Sequence, residues 1–336
     1  MKNILLVFTG GTIGSQLQNG TIDTHQNAGF KLIQLFQQHY PNQNQLSFKT
    51  IQTEQILSEN LHPQFWQQVI ATIEAEVLDN VDGVIITHGT DTLAFSAAAL
   101  GIYFNQIKIP ILLVSSNMPL ENPNANGLKN FICAVDYIRQ KQAAGVFVPY
   151  QNPGHPMHLH IATRISSCLP LSSDFISVQS KPYLLFENGK FTHQHELPTR
   201  MTPSYPLKKQ FANILLIKPY PGLNYSHFNL DNIDAVLHDL YHSGTACTSE
   251  QWGQQHSLLV FSEHCHHRNI PLFLAPSIKT DALYSTTQQL LTHNTKMIWN
   301  TSLESAYAKL ALAYANFTDN QTIDDFLMRD IAWEQV

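Results

Sequence analysis

Positive charge is scarce in this chain. Its 336 residues carry 19 Lys and Arg against 25 Asp and Glu, a formal net charge of −6, with no basic run anywhere. Without a basic patch there is no electrostatic reason to expect nucleic acid or an anionic membrane as partner, so a small molecule is the expected one. Cysteine is equally thin. Cys133, Cys168, Cys247 and Cys265 fall far apart with no C-x-x-C pair, which indicates neither a zinc ribbon nor a disulfide framework. The apolar run behind Met1-Lys2-Asn3 stops before Gly10-Gly11, too short for a membrane span and poorly built as a signal peptide. It reads as the first strand of a cytoplasmic protein. Several active-site signatures are also missing. The first turn lacks G-x-G-x-x-G and there is no G-K-[ST], G-x-S-x-G or H-E-x-x-H, which disfavours nucleotide binding, the common serine hydrolases and zinc proteases. His264-Cys265-His266-His267 has no second ligand group at a zinc spacing. It reads as a solvated helix end, where histidines suit the dipole.

What is present is an apolar content of 43%, enough to bury a sizeable core and to build two domains. The most informative stretch is Gly83-Val84-Ile85-Ile86-Thr87-His88-Gly89-Thr90-Asp91-Thr92-Leu93-Ala94-Phe95. A β-branched run stops at a glycine, two threonines bracket an aspartate, and an Ala/Leu/Phe segment follows: strand, sharp turn, helix. A second such turn ends Ile4-Leu5-Leu6-Val7-Phe8-Thr9-Gly10-Gly11-Thr12-Ile13-Gly14. In an open α/β sheet, ligands sit at the carboxyl ends of strands, against the first free N–H groups of the next helix. Two hydroxyl-bearing turns in one sheet suggest one shared site.

In chain order, strand 3–8 is followed by a polar loop from Thr9 to about Asn27, long enough to suggest a lid. A helix over about 29–39 and a strand over 46–51 come next. Pro63 in a first helical turn, with Val69, Ile70, Ile73 and Val77 on one face, predicts a helix to about Asp79. The pattern continues with 83–104, a strand at 111–115, a loop over Asn117–Asn126, a helix to about Gln140 and a strand at 146–148. That βαβαβαβαβ order calls for a mostly parallel sheet with right-handed crossovers. Short segments between Pro149 and Phe191 read as antiparallel additions. The expected fold is therefore α/β, with a larger N-terminal, mostly parallel sheet domain over 1–195 and a smaller C-terminal α/β domain over 211–336. A proline-rich linker at 196–210 separates them.

A threonine hydroxyl is a poor nucleophile until a neighbour takes or polarises its proton, and a hydroxyl–carboxylate pair nearby can bind an amine or position water. Each threonine taken alone reads equally as a helix N-cap. It is the pairing of the two turns that favours chemistry.

Thr9-Gly10-Gly11-Thr12-Ile13-Gly14 and His88-Gly89-Thr90-Asp91-Thr92 resemble the two signature motifs of the bacterial-type L-asparaginases, closest to the cytoplasmic type I branch, and Ser115-Ser116-Asn117-Met118-Pro119-Leu120 is similar to the family segment after the next strand. The resemblance is clear over about residues 1–150 and weaker beyond. It implies a two-domain α/β fold, a homodimer or homotetramer, and hydrolysis of asparagine to aspartate and ammonia with no cofactor and no metal. It makes Thr12 the nucleophile, sets Thr90 near the scissile amide, and gives Asp91 the substrate α-amino group. Ser58 and Glu59 match positions that hold the substrate's α-carboxylate and amine, and backbone N–H groups in the turns would stabilise the oxyanion.

Two positions depart from the family pattern. Thr21 stands where the family has an activating tyrosine, and Ser167, three residues after Arg164, stands where it has a lysine. A threonine does not replace a phenol as proton relay, and serine brings no amine to act as base. Three functions follow. The first is an amidohydrolase acting on asparagine, with glutamine as a second candidate substrate. The second is a catalytically weakened relative that binds an amino acid. The third is the asparaginase-like subunit of an amidotransferase acting on charged tRNA, disfavoured by the acidic balance and the lack of an added RNA-binding segment. Tyr284 is a candidate for a group supplied by a neighbouring subunit, with a packed or surface tyrosine as its plainer reading.

Overall fold

The apolar run at the start of the chain forms an interior strand, because a strand covered on both faces has no position to spare for a polar side chain. The computed structural model describes residues 1–18, 21–24, 28–41, 43–197 and 207–336, with backbone alone at 15–18, 21–24 and 28–29. The chain divides into two compact units, Met1–Ser204 and Tyr205–Val336. Most of the linker expected at 196–210 lies outside the described residues.

In the first unit the elements are β1 (Lys2–Gly10), β2 (Ser15–Gln18), β3 (Thr21–Thr24), α1 (Ala28–His39), β4 (Leu46–Ile56), α2 (Pro63–Glu74), β5 (Gly83–Thr87), α3 (Leu93–Tyr103), β6 (Pro110–Val114), α4 (Gly127–Arg139), β7 (Gly145–Gln151), β8 (Met157–Ile161), β9 (Leu184–Glu187) and β10 (Lys190–His193). One eight-stranded sheet has the order β10-β9-β8-β7-β6-β5-β1-β4. Strands β4, β1, β5, β6 and β7 run parallel, and β8, β9 and β10 continue the sheet antiparallel. Every residue of β5 and of β6 is buried.

The parallel part has a consequence for ligands. The chain runs outward from β1 to β4, crosses back over β1 to β5, and then continues to β6 and β7. The direction of winding therefore reverses between β1 and β5, the kind of crevice where open α/β sheets take their ligands.

Helix α2 begins with Pro63 after His62, whose side chain accepts from Gln64 N, and it buries Phe65, Trp66, Val69, Ile70 and Ile73. The Trp66 indole donates to Ser96 Oγ at 2.8 Å, fixing α2 against α3. The helix ends at Glu74, short of the expected Asp79. Val77 therefore lies beyond its apolar face, 65% exposed. The stretch expected as a loop after Thr9 contains the antiparallel pair β2–β3.

The second unit comprises β11 (Ile214–Ile217), β12 (Ala235–Asp239), α5 (Leu258–His267), β13 (Leu272–Ser277), α6 (Ser285–Leu291), β14 (Thr295–Trp299), α7 (Leu303–Asn316) and α8 (Asn320–Met328). Its four strands pair in sequence order, all parallel. The C-terminal segment is held by an ion pair between Lys309 and Glu334, both side chains fully buried. Glu334 also accepts the Ile331 and Ala332 N–H groups, so its charge is met on several sides. Among the described residues no helix is long and apolar enough to cross a membrane.

Candidate active site

Strand β1 ends in two glycines with left-handed backbones, Gly10 at φ +97° and Gly11 at φ +76°. Space demands glycine here as much as dihedral angle does. A Cβ on Gly11 would lie 2.1 Å from Gly89 N, and one on Gly89 would lie 2.3 Å from Ser58 Oγ. The three chain segments leaving the carboxyl ends of β1, β5 and β4 are thus in direct contact, and any side chain at either glycine would push them apart. Thr12 opens a short 3₁₀ turn, Thr12–Gly14, immediately after the contact. Thr90 follows Gly89 directly. Thr12 and Thr90 are both half-buried, and Asp91 and Glu59 are exposed.

Two further devices set the segments against each other. The ladder between β1 and β5 runs from Ile4↔Gly83 to Val7↔Ile86. Where it stops, two buried threonines continue it through their side chains: Thr9 N donates to Thr87 Oγ1 at 3.1 Å, and the Thr9 hydroxyl donates to the Thr87 carbonyl. Ser58 supplies the second device. Its hydroxyl donates to Asp91 Oδ2 at 3.0 Å and accepts from Asp91 N at 3.2 Å, while its carbonyl accepts from Thr92 Oγ1 at 2.9 Å. Serine, aspartate and threonine from two strand ends are locked into one arrangement.

These bonds decide the capping alternative for the second turn. The N-cap position of α3 is Thr92, and it makes no side-chain capping bond because its hydroxyl is committed to Ser58. Asp91 turns its carboxylate to Ser58 as well, and Leu93 N reaches only the Thr90 carbonyl, at 3.4 Å.

His88 lies beneath the turn. Its backbone N–H donates to Val114 O at 2.8 Å, and Nδ1 meets Gly89 O at 2.7 Å. A carbonyl only accepts, so Nδ1 carries the hydrogen and Nε2 a lone pair. Burial pushes the imidazole pKa down, keeping the ring neutral. Its Nε2 and the Ser115 Oγ after β6 are buried with no hydrogen-bond partner among the described residues. Beyond β6, Asn117 and Asn126 each accept the other's backbone N–H, at 3.0 and 2.9 Å, and Asn130 joins Ser115 O to Gln151 N.

Arg164 ends a 3₁₀ turn after β8, and Ser167 follows the Ile165↔Ser177 bridge. The next residue, Cys168, is not among the candidates that the sequence motifs supply. Burial raises its thiol pKa, and the Asp174 and Asp91 carboxylates add to the shift. The Cys168 thiol therefore feels the Asp91 carboxylate. No spacing in the sequence carries that signal, because the proximity is made by the fold. The side chain of Thr21 lies outside the described residues.

A family model described as "Asparaginase, N-terminal" matches residues 3–197. The chain belongs to the asparaginase family. The L-asparaginase of Thermococcus kodakarensis superposes with a TM-score of 0.81 over 99% of both chains at 23% identity, which establishes the two-domain asparaginase fold. Among curated proteins, a glutamyl-tRNA(Gln) amidotransferase subunit from Methanosphaera stadtmanae is 26% identical over 338 residues, covering 95% of this chain and 73% of that one. The equivalent amidotransferase subunit from Methanococcus maripaludis is 27% identical over 234 residues, covering 67% of this chain and 55% of that one. The chain thus spans between about half and three quarters of the length of these relatives.

Proposed function

We propose that this asparaginase-family chain is an amidohydrolase that converts L-asparagine to L-aspartate and ammonia, with glutamine as a second candidate substrate. The observation that carries the reading is the contact of the two motif turns at the winding reversal between β1 and β5, with Ser58 bonded to Asp91 beside it. The Thr12 hydroxyl attacks the side-chain amide carbon, and the proton it releases as the C–O bond forms passes through solvent water to the amide nitrogen. The tetrahedral oxyanion is met by backbone N–H groups of the turns. The C–N bond then breaks with protonation of the leaving nitrogen, and water hydrolyses the threonyl ester to free aspartate and regenerate the hydroxyl. The Asp91 carboxylate grips the substrate α-ammonium, Glu59 adds negative charge, Ser58 orients Asp91, and Thr90 stands at the amide.

No residue is assigned as the general base. Buried Nε2 and a committed Nδ1 exclude His88 from contact with substrate, and Ser167 and Thr21 lack the groups the family uses. The expected rate is low for the family. A cytoplasmic homodimer or homotetramer, expected from the likeness to type I enzymes, is part of the same proposal.

The test is ammonia release with asparagine and glutamine side by side. The reading expects release from asparagine that falls by about a thousandfold or more in Thr12→Ala and is likewise lost in Thr90→Val, with circular dichroism unchanged in both. Saturable asparagine binding without ammonia would instead mark a binding relative. The names of the curated relatives favour a second reading, an ammonia-generating amidotransferase subunit. It expects release that depends on a charged tRNA and a partner protein, while the net charge of −6 speaks against RNA contact by this chain.

A further inference from the structure

At the carboxyl ends of β11 and β12 the second unit holds a cavity of about 400 Å³, within the range of small-molecule sites. The roles proposed for Thr12 and Thr90 leave the cavity unused. Its floor is Tyr225, 5% exposed, whose ring stacks on Phe261 at a centroid distance of 4.7 Å and whose hydroxyl meets His238 Nε2 at 2.9 Å. One wall is the loop after β11, where Tyr220 sits between Pro219 and Pro221 and Leu223 N closes the turn onto Tyr220 O at 3.0 Å. Tyr241 also lines the cavity, at a turn closed by Gly244 N onto Tyr241 O at 2.7 Å. Trp252 stands at the rim, and His256 is pinned by its Nδ1 donating to Leu223 O at 2.8 Å.

The chemistry of the lining narrows the occupant. Among the described residues no Asp, Glu, Lys or Arg lines the cavity, so a charged group entering it would lose its hydration without a partner. Tyr220, Tyr225, Tyr241 and Trp252 give the lining four aromatic side chains, and rings favour a flat, polarisable guest held by offset stacking or edge contact. The polar groups are tyrosine hydroxyls, the Cys247 thiol and His256. With the His256 hydrogen committed at Nδ1, its Nε2 is an acceptor for an N–H or O–H at a ring edge. The two largest aromatic surfaces are left uncovered at the mouth, Trp252 at 78% and Tyr220 at 55% exposure. The turns that carry the walls are closed by their own backbone hydrogen bonds, so the slot is formed in advance of binding.

The geometry points to a second small-molecule site in this protein, a slot for a neutral planar aromatic or heteroaromatic group, independent of amide hydrolysis. A nucleobase and a neutral aromatic amino-acid derivative share that chemistry. The probes are therefore adenosine and N-acetyl-L-tryptophanamide, with cyclohexanol as the non-planar control, followed by saturation-transfer NMR and calorimetry on the full chain. Saturable binding is expected for at least one planar probe and absent for cyclohexanol, and which probe binds tells the two sources apart. Trp252→Ala and Tyr220→Ala each weaken it about tenfold. Both side chains are more than half exposed, so the variants keep the wild-type melting temperature. Absence of saturable binding by both planar probes, equal binding of cyclohexanol, or undiminished binding in both variants overturns the assignment. So does a changed sedimentation coefficient in ligand-free Trp252→Ala, which would make the rim a contact between copies of the chain.

Discussion

Ser58 shows how much one small side chain can organise. Its hydroxyl holds both the backbone N–H and the carboxylate of Asp91, and its carbonyl holds Thr92. Alanine at this position leaves Asp91 N without its acceptor and frees the carboxylate to turn away from the direction in which an α-ammonium would be met. A hydrogen bond to a charged group is worth about 1.5–3 kcal/mol. Ser58→Ala is therefore expected to raise KM for asparagine roughly tenfold or more, with a smaller change in kcat. Steady-state ammonia release checks this, and an unchanged KM would remove Ser58 from the proposed substrate grip. At this scale the motifs point to Thr12, Thr90, Asp91, Ser58 and Glu59, and of these the structure joins Ser58 to Asp91 by hydrogen bonds. The sequence is silent on Cys168, whose thiol feels the Asp91 carboxylate through the fold and not through any spacing of residues.

At the scale of elements, the site depends on how β1 is held against β5 after their ladder ends. Thr9 and Thr87 do this with two buried hydrogen bonds. Thr87→Val leaves Thr9 N unpaired and Thr9→Val leaves the Thr87 carbonyl unpaired, each costing about 1–3 kcal/mol. Neither side chain is proposed to touch substrate, so the expected signature is a fall in kcat at near-constant KM, larger than the loss of stability alone produces. Kinetics of the folded fraction would show it, and an unaltered kcat would reduce the clasp to sheet support. Strands β1, β5 and β6 and helix α3 are readable because full burial leaves uninterrupted apolar runs. Strand β14 is not, since Lys296 at its exposed edge pairs with Asp324 and breaks the pattern. Helix α8 does carry local signals, though its short polar surroundings mask them: Asp319 caps Gln321 N and Thr322 N, and Ile323, Phe326 and Leu327 are buried at helical spacing. Val77 misleads in the other direction, since an apolar residue in phase with a helix says nothing of whether the helix reaches it.

Across the whole molecule, histidine couples stability to pH. Burial holds His160 down at about 3 and His238 at about 4, and it lowers His88 as well. The unfolded chain takes up these protons near pH 6.5, so below that point it binds more protons than the native state, and stability falls with pH. The slope is about 1.4 kcal/mol per pH unit for each such histidine. It persists down to about pH 4 for His238 and about 3 for His160. Above pH 6.5 this contribution is flat. Urea midpoints should be level between about pH 7 and 8 and drop steadily from about 6.5 to 5. A midpoint independent of pH over that interval would contradict the burial of neutral imidazoles in both units.

The central claim is that the turns after β1 and β5 form one amino-acid site whose nucleophile is Thr12. Single-turnover ammonia release from L-asparagine by the wild-type chain and by folded Thr12→Ala tests it most directly. The account predicts stoichiometric release by the wild type and essentially none by the variant over the same interval. Equal release by the two proteins would contradict it.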